Sequence, residues 1–205
     1  MKYEPGGDVY RNLVDYDFSI NINPLGMPIK AKQAACDGIS LVGKYPDYRG
    51  DALLEEISKT HSVNKDGLLL GNGAAELIYT LCRAQMPKKA LSIAPTFSEY
   101  ENAVRAVGGE FEYHYLDEKY DYAITESLLD DLNEDVDIFF LCNPNNPTGS
   151  LIDSDLMLQV CERCKELDIL LCVDESFLPF VREGKAKSIM GMLDGRYGRV
   201  IVLRS

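Results

Sequence analysis

The sequence has no tryptophan, only two histidines (His61 and His114) and little positive charge. It also lacks any stretch near the roughly 18 uninterrupted apolar residues of a membrane-crossing helix. Its opening, "MKYEPGGDVYRN", has no apolar centre of the kind a secretory signal needs. A cytoplasmic chain without a membrane partner is therefore expected. Lys and Arg total 21 against 33 Asp and Glu, leaving a formal charge of −12. A field of that sign repels nucleic acid and acidic lipid surfaces, so neither is expected as a partner. It leaves a small anionic ligand open, because a few backbone N–H groups can hold a phosphate locally. The missing tryptophan excludes nothing.

Metal-ligand patterns are scarce as well. The six cysteines, Cys36, Cys82, Cys142, Cys161, Cys164 and Cys172, are scattered. Cys161 and Cys164 have ligand spacing, but there is no second such pair and both histidines are remote in sequence. On a helix Cys164 shares a face with Leu156, Val160 and Leu167, so core packing is the better reading and no metal site is expected. Cys142 and Cys172 lie inside apolar runs, the habit of reduced thiols.

What is present is a globular composition, 46% hydrophobic and 26% charged over 205 residues, enough for one substantial core. From about residue 64 strand and helix signals alternate. "DGLLLG" reads as a strand and "NGAAELIYTLCRAQ" as a helix. "KALSIA" reads as a strand, and "FSEYENAVRAVGG" as a helix closed by glycines. "EFEYHY" reads as a strand, and "TESLLDDL" as a helix begun by Thr125 or Glu126. Three continuous apolar strands follow, "VDIFFLC", "DILLCVD" and "RVIVLRS". A helix capped by Asp153 is expected between the first two. Continuous rather than alternating hydrophobicity means that both faces of the sheet are covered. The expected fold is thus α/β, a mostly parallel sheet with helices on both faces. Residues 1–45 read as an arm or part of a smaller domain, and 46–205 as the large domain. Within 1–65, "IKAKQAACDGISLVGK" and "DALLEEISKTHS" read as helices, and Arg49-Gly50-Asp51 as a turn leading the second.

In open parallel sheets ligands bind outside the carboxyl ends of the strands. The residues there are Gly71 to Glu76, Pro95 to Phe97, Asn143 to Gly149, Asp174 to Ser176, and Arg204-Ser205. "GNGAAE" is either a tight strand–helix turn or an anion seat, in which the N–H groups of Gly73, Ala74 and Ala75 point outward at a helix N-terminus. Asp174 ends a buried strand, where a carboxylate is costly without a cation or donors; a simple turn cap is the competing reading. In "NPNNPTG", Pro144 and Pro147 stiffen the loop, so its three asparagines can be aimed with little loss of entropy. A rigid amide cluster beside a buried acid suits a heteroaromatic cofactor held edge-on.

"NPNNPTG", a buried strand ending in "VDESF", "GNGAAE" upstream and "VIVLRS" downstream together resemble the fold-type-I pyridoxal-phosphate enzymes of the class I/II aminotransferase family. The closest resemblance is to its histidinol-phosphate aminotransferase and threonine-phosphate decarboxylase branch. It implies pyridoxal 5'-phosphate as cofactor, with Asp174 on the pyridine nitrogen and Asn146 on the ring hydroxyl and the substrate carboxylate. Ala74 and Ala75, after Gly73, would take the phosphate with Ser205, and Phe97 would stack on the ring. Tyr45, in "KYPDY", resembles the tyrosine that reaches the cofactor phosphate of a neighbouring subunit, which implies a homodimer. "DFSININPLG" resembles the decarboxylases more than the aminotransferases. By that resemblance Gly6 and Asn21 contact a substrate phosphate, with Pro5 standing where the branch has a histidine.

The implied activity is decarboxylation of L-threonine O-3-phosphate in cobalamin biosynthesis. An aminotransferase of the histidinol-phosphate type is the alternative, and an inactive cofactor-binding scaffold a third. In the family the last strand continues as serine, any residue, threonine and the Schiff-base lysine; here the given residues stop at Ser205. Lys165 falls on a helix and Lys185 and Lys187 in a polar loop, so none is expected to replace it. The chain is thus expected to be an N-terminal fragment, inactive alone, of an active parent that takes a phosphorylated amino acid.

Overall fold

The structure, a computed structural model, describes residues 6–192 and 198–205. The residues cluster into two units, divided in the sequence between Leu68 and Leu69.

The first unit carries helices α1 (Ile29–Gly38) and α2 (Asp51–His61). Gly50 precedes α2 at φ +63°, a left-handed conformation that glycine takes without strain. Asp51 in the first turn and Lys59 and His61 in the last complement the helix dipole. No described residue of this unit is buried, and Tyr10, Leu13, Phe18, Leu25, Ile29 and Tyr45 are exposed. Gly6 and Gly7 run against Ser19 and Ile20: the Gly7 N–H donates to Ser19 Oγ at 2.8 Å, and a side chain at Gly6 would strike the Ser19 carbonyl.

The second unit holds α3 (Ala74–Gln85), β1 (Lys89–Ala94), α4 (Glu99–Ala106), β2 (Glu110–Tyr115), α5 (Leu128–Asp131), β3 (Ile138–Cys142), α6 (Ser154–Glu166), β4 (Leu170–Asp174), α7 (Gly184–Lys187) and β5 (Val200–Leu203). The described strands form one parallel sheet in the order β2-β1-β3-β4-β5. Alternation along β3 and β4 feeds two cores. Phe139, Leu141, Leu171 and Val173 pack with α6 residues Leu156, Val160 and Cys164. Ile138, Phe140, Leu170 and Cys172 pack on the other face with Ile78 and Cys82 of α3 and Tyr100, Ala103 and Val104 of α4. Each such fully buried large side chain contributes about 1.5–3 kcal/mol. The sheet is therefore covered on both sides, which is why its central strands carry no polar alternation.

Local chemistry explains the element ends. The Asp153 carboxylate accepts from the N–H groups of Asp155 and Leu156 and starts α6. After α4 the chain turns through Gly108 at φ +85°, and a Cβ on Gly109 would meet the Pro87 carbonyl.

Three expectations are corrected. "DGLLLG" is not a strand: Lys65–Gly67 makes a single tight turn, the residues after it are irregular, and Leu69 is exposed. An apolar triplet becomes a strand only where a neighbouring ladder takes its backbone groups, and no described strand lies beside it. The helix after Thr125 is a single turn, Leu128–Asp131, led by Ser127; the Thr125 and Ser127 hydroxyls bond each other at 2.8 Å instead of capping it. The expected polar loop at Lys185 and Lys187 is the short helix α7.

Candidate functional site

Because the strands are parallel and in register, their carboxyl ends finish flush. Cys142 pairs with Asp174, and Asp174 with Leu203. The residues that follow these positions therefore meet at one edge of the sheet. The loop after β3 is tied to the loop after β1 by Asn145. Its Nδ2 donates to the Pro95 carbonyl and to Thr148 Oγ1, both at 2.9 Å, and its Oδ1 accepts from Thr96 Oγ1 at 3.0 Å. Asn143 accepts from the Ile152 N–H at 3.0 Å. Two of the three asparagines are thus consumed by the loop itself. Asn146 is half-buried, and its side-chain amide makes no hydrogen bond among the described residues. The Asn143–Pro144 and Asn146–Pro147 bonds are cis.

Asp174 shares the face of β4 on which Leu170 and Cys172 lie, so it points toward α4. It is only 4% exposed. Tyr100 Oη donates to Asp174 Oδ2 at 2.8 Å, and the Ser176 N–H donates to Oδ1 at 3.0 Å. The second bond is the local turn cap weighed above; the first is a long-range contact that a cap does not need. A carboxylate has about four lone-pair sites, so two remain for a ligand. Beside it, Ser176 Oγ is a buried oxygen without a hydrogen-bond partner among the described residues. Phe97 meets the Tyr100 ring edge-on, with centroids 5.5 Å apart and planes at 82°, and Phe140 stacks on the same ring at 5.0 Å and 9°.

The titratable groups around Asp174 are neutral or paired. Burial pushes the Cys142 thiol up to about 11, with the Asp174 charge adding to it. Burial and the same charge push Cys172 well above its ordinary value. Burial, then the Asp174 charge, raises the Tyr100 phenol well above 10.0. Glu175, fully buried, takes Arg204 Nη1 at 3.1 Å, the Ser188 hydroxyl at 2.7 Å and the Ile189 N–H at 2.8 Å. That ion pair holds the end of β5, and so the approach to the exposed Ser205, against β4.

At the start of α3, Gly73 has φ +85°. Its N–H is spent on the Gly71 carbonyl at 2.9 Å, so it is not one of the free donors expected of it. The Glu76 carboxylate takes the Asn72 N–H. Ala74 and Ala75 keep the unpaired N–H groups of a helix N-terminus among the described residues. α3 shares its core with Tyr100, Phe140 and Cys172, and Tyr79 of α3 donates to Glu99 of α4 at 3.0 Å. Phe97, Tyr100 and Asp174 thus lie on the face of the sheet that α3 also covers, and the loop carrying Asn146 follows β3 at the same edge. Tyr45, Gly6 and Asn21 lie in the first unit, all three exposed; Pro5 lies outside the described residues.

Sequence reasoning missed Tyr100 and Ser188, and named Thr96, Glu175 and Arg204 only as strand-end residues, without their partners. A signal existed for Tyr100: with Ala103 and Val104 it forms an i, i+3, i+4 apolar stripe, and a hydroxyl buried there needs a partner. Glu175, a second acid directly after a buried strand, carried the same demand for a cation.

The sequence profile described as aminotransferase class I and II matches residues 15–205. The chain belongs to that family. A threonine-phosphate decarboxylase from Salmonella typhimurium is 39% identical over 165 residues, covering 80% of this chain and 45% of that protein. A histidinol-phosphate aminotransferase from Bacillus subtilis is 28% identical, covering 99% of this chain and 58% of its own length. Among solved structures, the histidinol-phosphate aminotransferase from Clostridium acetobutylicum superposes with a TM-score of 0.79 at 31% identity, over 91% of this chain and 54% of that one. The chain spans about half the length of the relatives it matches. Class I and II aminotransferase membership agrees with the observed parallel, doubly covered sheet.

Proposed function

We propose that this chain is the N-terminal part of a pyridoxal 5'-phosphate-dependent enzyme that decarboxylates L-threonine O-3-phosphate. The observation that carries the coenzyme part of this reading is the buried Asp174 carboxylate, held by Tyr100 at the carboxyl edge of the sheet; the substrate part is supported by the 39% identity to a threonine-phosphate decarboxylase. A buried anion with free lone pairs calls for a cation, and a protonated pyridine nitrogen supplies one. The other donors suit the rest of that coenzyme. Ala74 and Ala75 N–H groups and Ser205 would hold its phosphate, Asn146 its ring oxygen and Phe97 its ring face. When bound, the group supplies an electron sink for a bond broken at the substrate α-carbon.

Asp174 keeps that ring positively charged, Asn146 orients ring and substrate, and the apolar wall of Tyr100, Phe140 and Phe97 excludes water from the buried side. Gly6 and Asn21 are proposed for the substrate phosphate and Tyr45 for the coenzyme phosphate of a second copy, on the family resemblance. A homodimer in the cytoplasm, serving cobalamin biosynthesis, is part of the same proposal. The exposed apolar side chains of the first unit support burial against other protein. The Schiff-base lysine is proposed to follow Ser205, so residues 1–205 alone are not expected to turn over.

Amino-group transfer of the histidinol-phosphate type is the second reading, favoured by the Clostridium structure. The full-length protein distinguishes them. Carbon dioxide released from L-threonine O-3-phosphate supports the first, and keto-acid-coupled transfer from histidinol phosphate supports the second. Borohydride labelling of a lysine within residues 1–205 would overturn the proposed lysine position.

A further inference from the structure

Resting on the coenzyme reading above, we propose that Tyr100 is the positioning residue for Asp174, fixing its carboxylate as an uncompensated anion that selects a ligand with a basic ring nitrogen. The two side chains lie 74 positions apart in sequence, on α4 and β4, and meet at 2.8 Å in a site that is almost wholly buried. Tyr100 cannot swing away. Phe140 stacks on one face of its ring and Phe97 abuts it edge-on, while Ala103 and Val104, one turn on, are buried on the same helix face. With Oδ2 held by the phenol and Oδ1 by the Ser176 N–H, the carboxylate has one orientation.

The choice of donor matters chemically. An Arg or Lys at position 100 would neutralise Asp174 and leave nothing for a cationic ligand. A phenol donates a hydrogen bond without donating charge. Burial and the neighbouring carboxylate keep that phenol protonated through the physiological range. Among the described residues no Lys, Arg or His forms an ion pair with Asp174. Cys142 and Cys172 remain thiols, and Arg204 is engaged by Glu175. The charge of Asp174 is therefore left to be matched by the ligand itself, and the hydroxyl of Tyr100 decides where that match occurs.

The test uses the full-length protein and two probes, pyridoxal 5'-phosphate and its 1-deaza analogue, which carries CH in place of the ring nitrogen. Tyr100→Phe keeps the ring and its packing and removes only the hydroxyl. It should weaken pyridoxal 5'-phosphate binding about tenfold or more, the size of a lost hydrogen bond to a charged group, and leave binding of the deaza analogue within about twofold. In an Asp174→Asn background the same substitution should no longer change the ratio of the two affinities. Equal loss for both probes would mark Tyr100 as a packing residue and overturn the proposal, as would no loss for either. If the unaltered protein binds neither probe, the coenzyme reading fails and the role of Tyr100 fails with it; binding by the unaltered protein with an unchanged affinity ratio in Tyr100→Phe sinks the role of Tyr100 alone.

Discussion

Glu175 and Arg204 form an ion pair across the ends of β4 and β5, with Nη1 3.1 Å from Oε2 and the carboxylate wholly excluded from water. Burial raises the Glu175 carboxyl above its ordinary 4.5, and the lowering effects of Ser188, the Ile189 N–H and Arg204 do not fully offset it. The fold therefore favours the protonated form relative to the unfolded chain. The resulting contribution to stability is complete below pH 4.5 and is lost as pH rises through the higher folded value. Glu175→Gln cannot titrate. The stability of the unaltered protein relative to this variant should fall as pH rises from below 4.5 through that window, read by denaturant unfolding of both at each pH. A margin that grows over the same window would show that Arg204 outweighs burial.

The thiols offer a count. Cys36 is exposed, and the other five cysteines are buried. Burial lifts Cys82 and Cys161 to about 11 and Cys164 to about 12. A thiol reagent at about pH 8 should label one cysteine quickly and the rest only after denaturation, because the thiolate is the reacting form. Peptide mapping should find the fast label at Cys36. Early labelling of Cys161 and Cys164 together would mean that α6 does not pack as described.

The parts of the fold legible in the sequence are those settled by near neighbours. Asp153 announces α6 because a cap acts on N–H groups two and three residues on. "VDIFFLC" and "DILLCVD" announce buried strands because their apolar content is unbroken over a strand length. The carboxyl ends of these strands could be located for the same reason. "DGLLLG" misleads because strand formation depends on a partner remote in sequence. Tyr100 and Asp174, or Arg204 and Glu175, show the same limit in the site: each pair is joined by folding, not by spacing. The Gly73 N–H was misjudged because a tight turn, invisible in composition, spends it on Gly71.

Asp153 also yields a modest test. Asp153→Ala removes the acceptor of two N–H groups at the α6 start and should cost about 1 kcal/mol, as helix caps commonly do. Asp153→Asn should recover most of it, since the amide oxygen still accepts. Chemical denaturation with an unchanged m-value is the measurement, and a cost under about 0.3 kcal/mol for the alanine variant would show that the cap is dispensable.

Two adjacent asparagines should separate structure from function. Asn145 is buried and joins the loops after β1 and β3 through Pro95, Thr96 and Thr148. Its removal leaves the Pro95 carbonyl without that donor, so Asn145→Ala should destabilise the fold by about 1–3 kcal/mol. Asn146 spends its amide on nothing among the described residues. Asn146→Ala should therefore change stability by no more than about 0.5 kcal/mol, yet weaken pyridoxal 5'-phosphate binding in the full-length protein about tenfold. Unfolding curves and coenzyme titration on the same two variants give the comparison. The opposite pattern, a stable Asn145→Ala and an unstable Asn146→Ala with intact binding, would move the ligand-facing amide off position 146 and with it the edge-on placement of the ring.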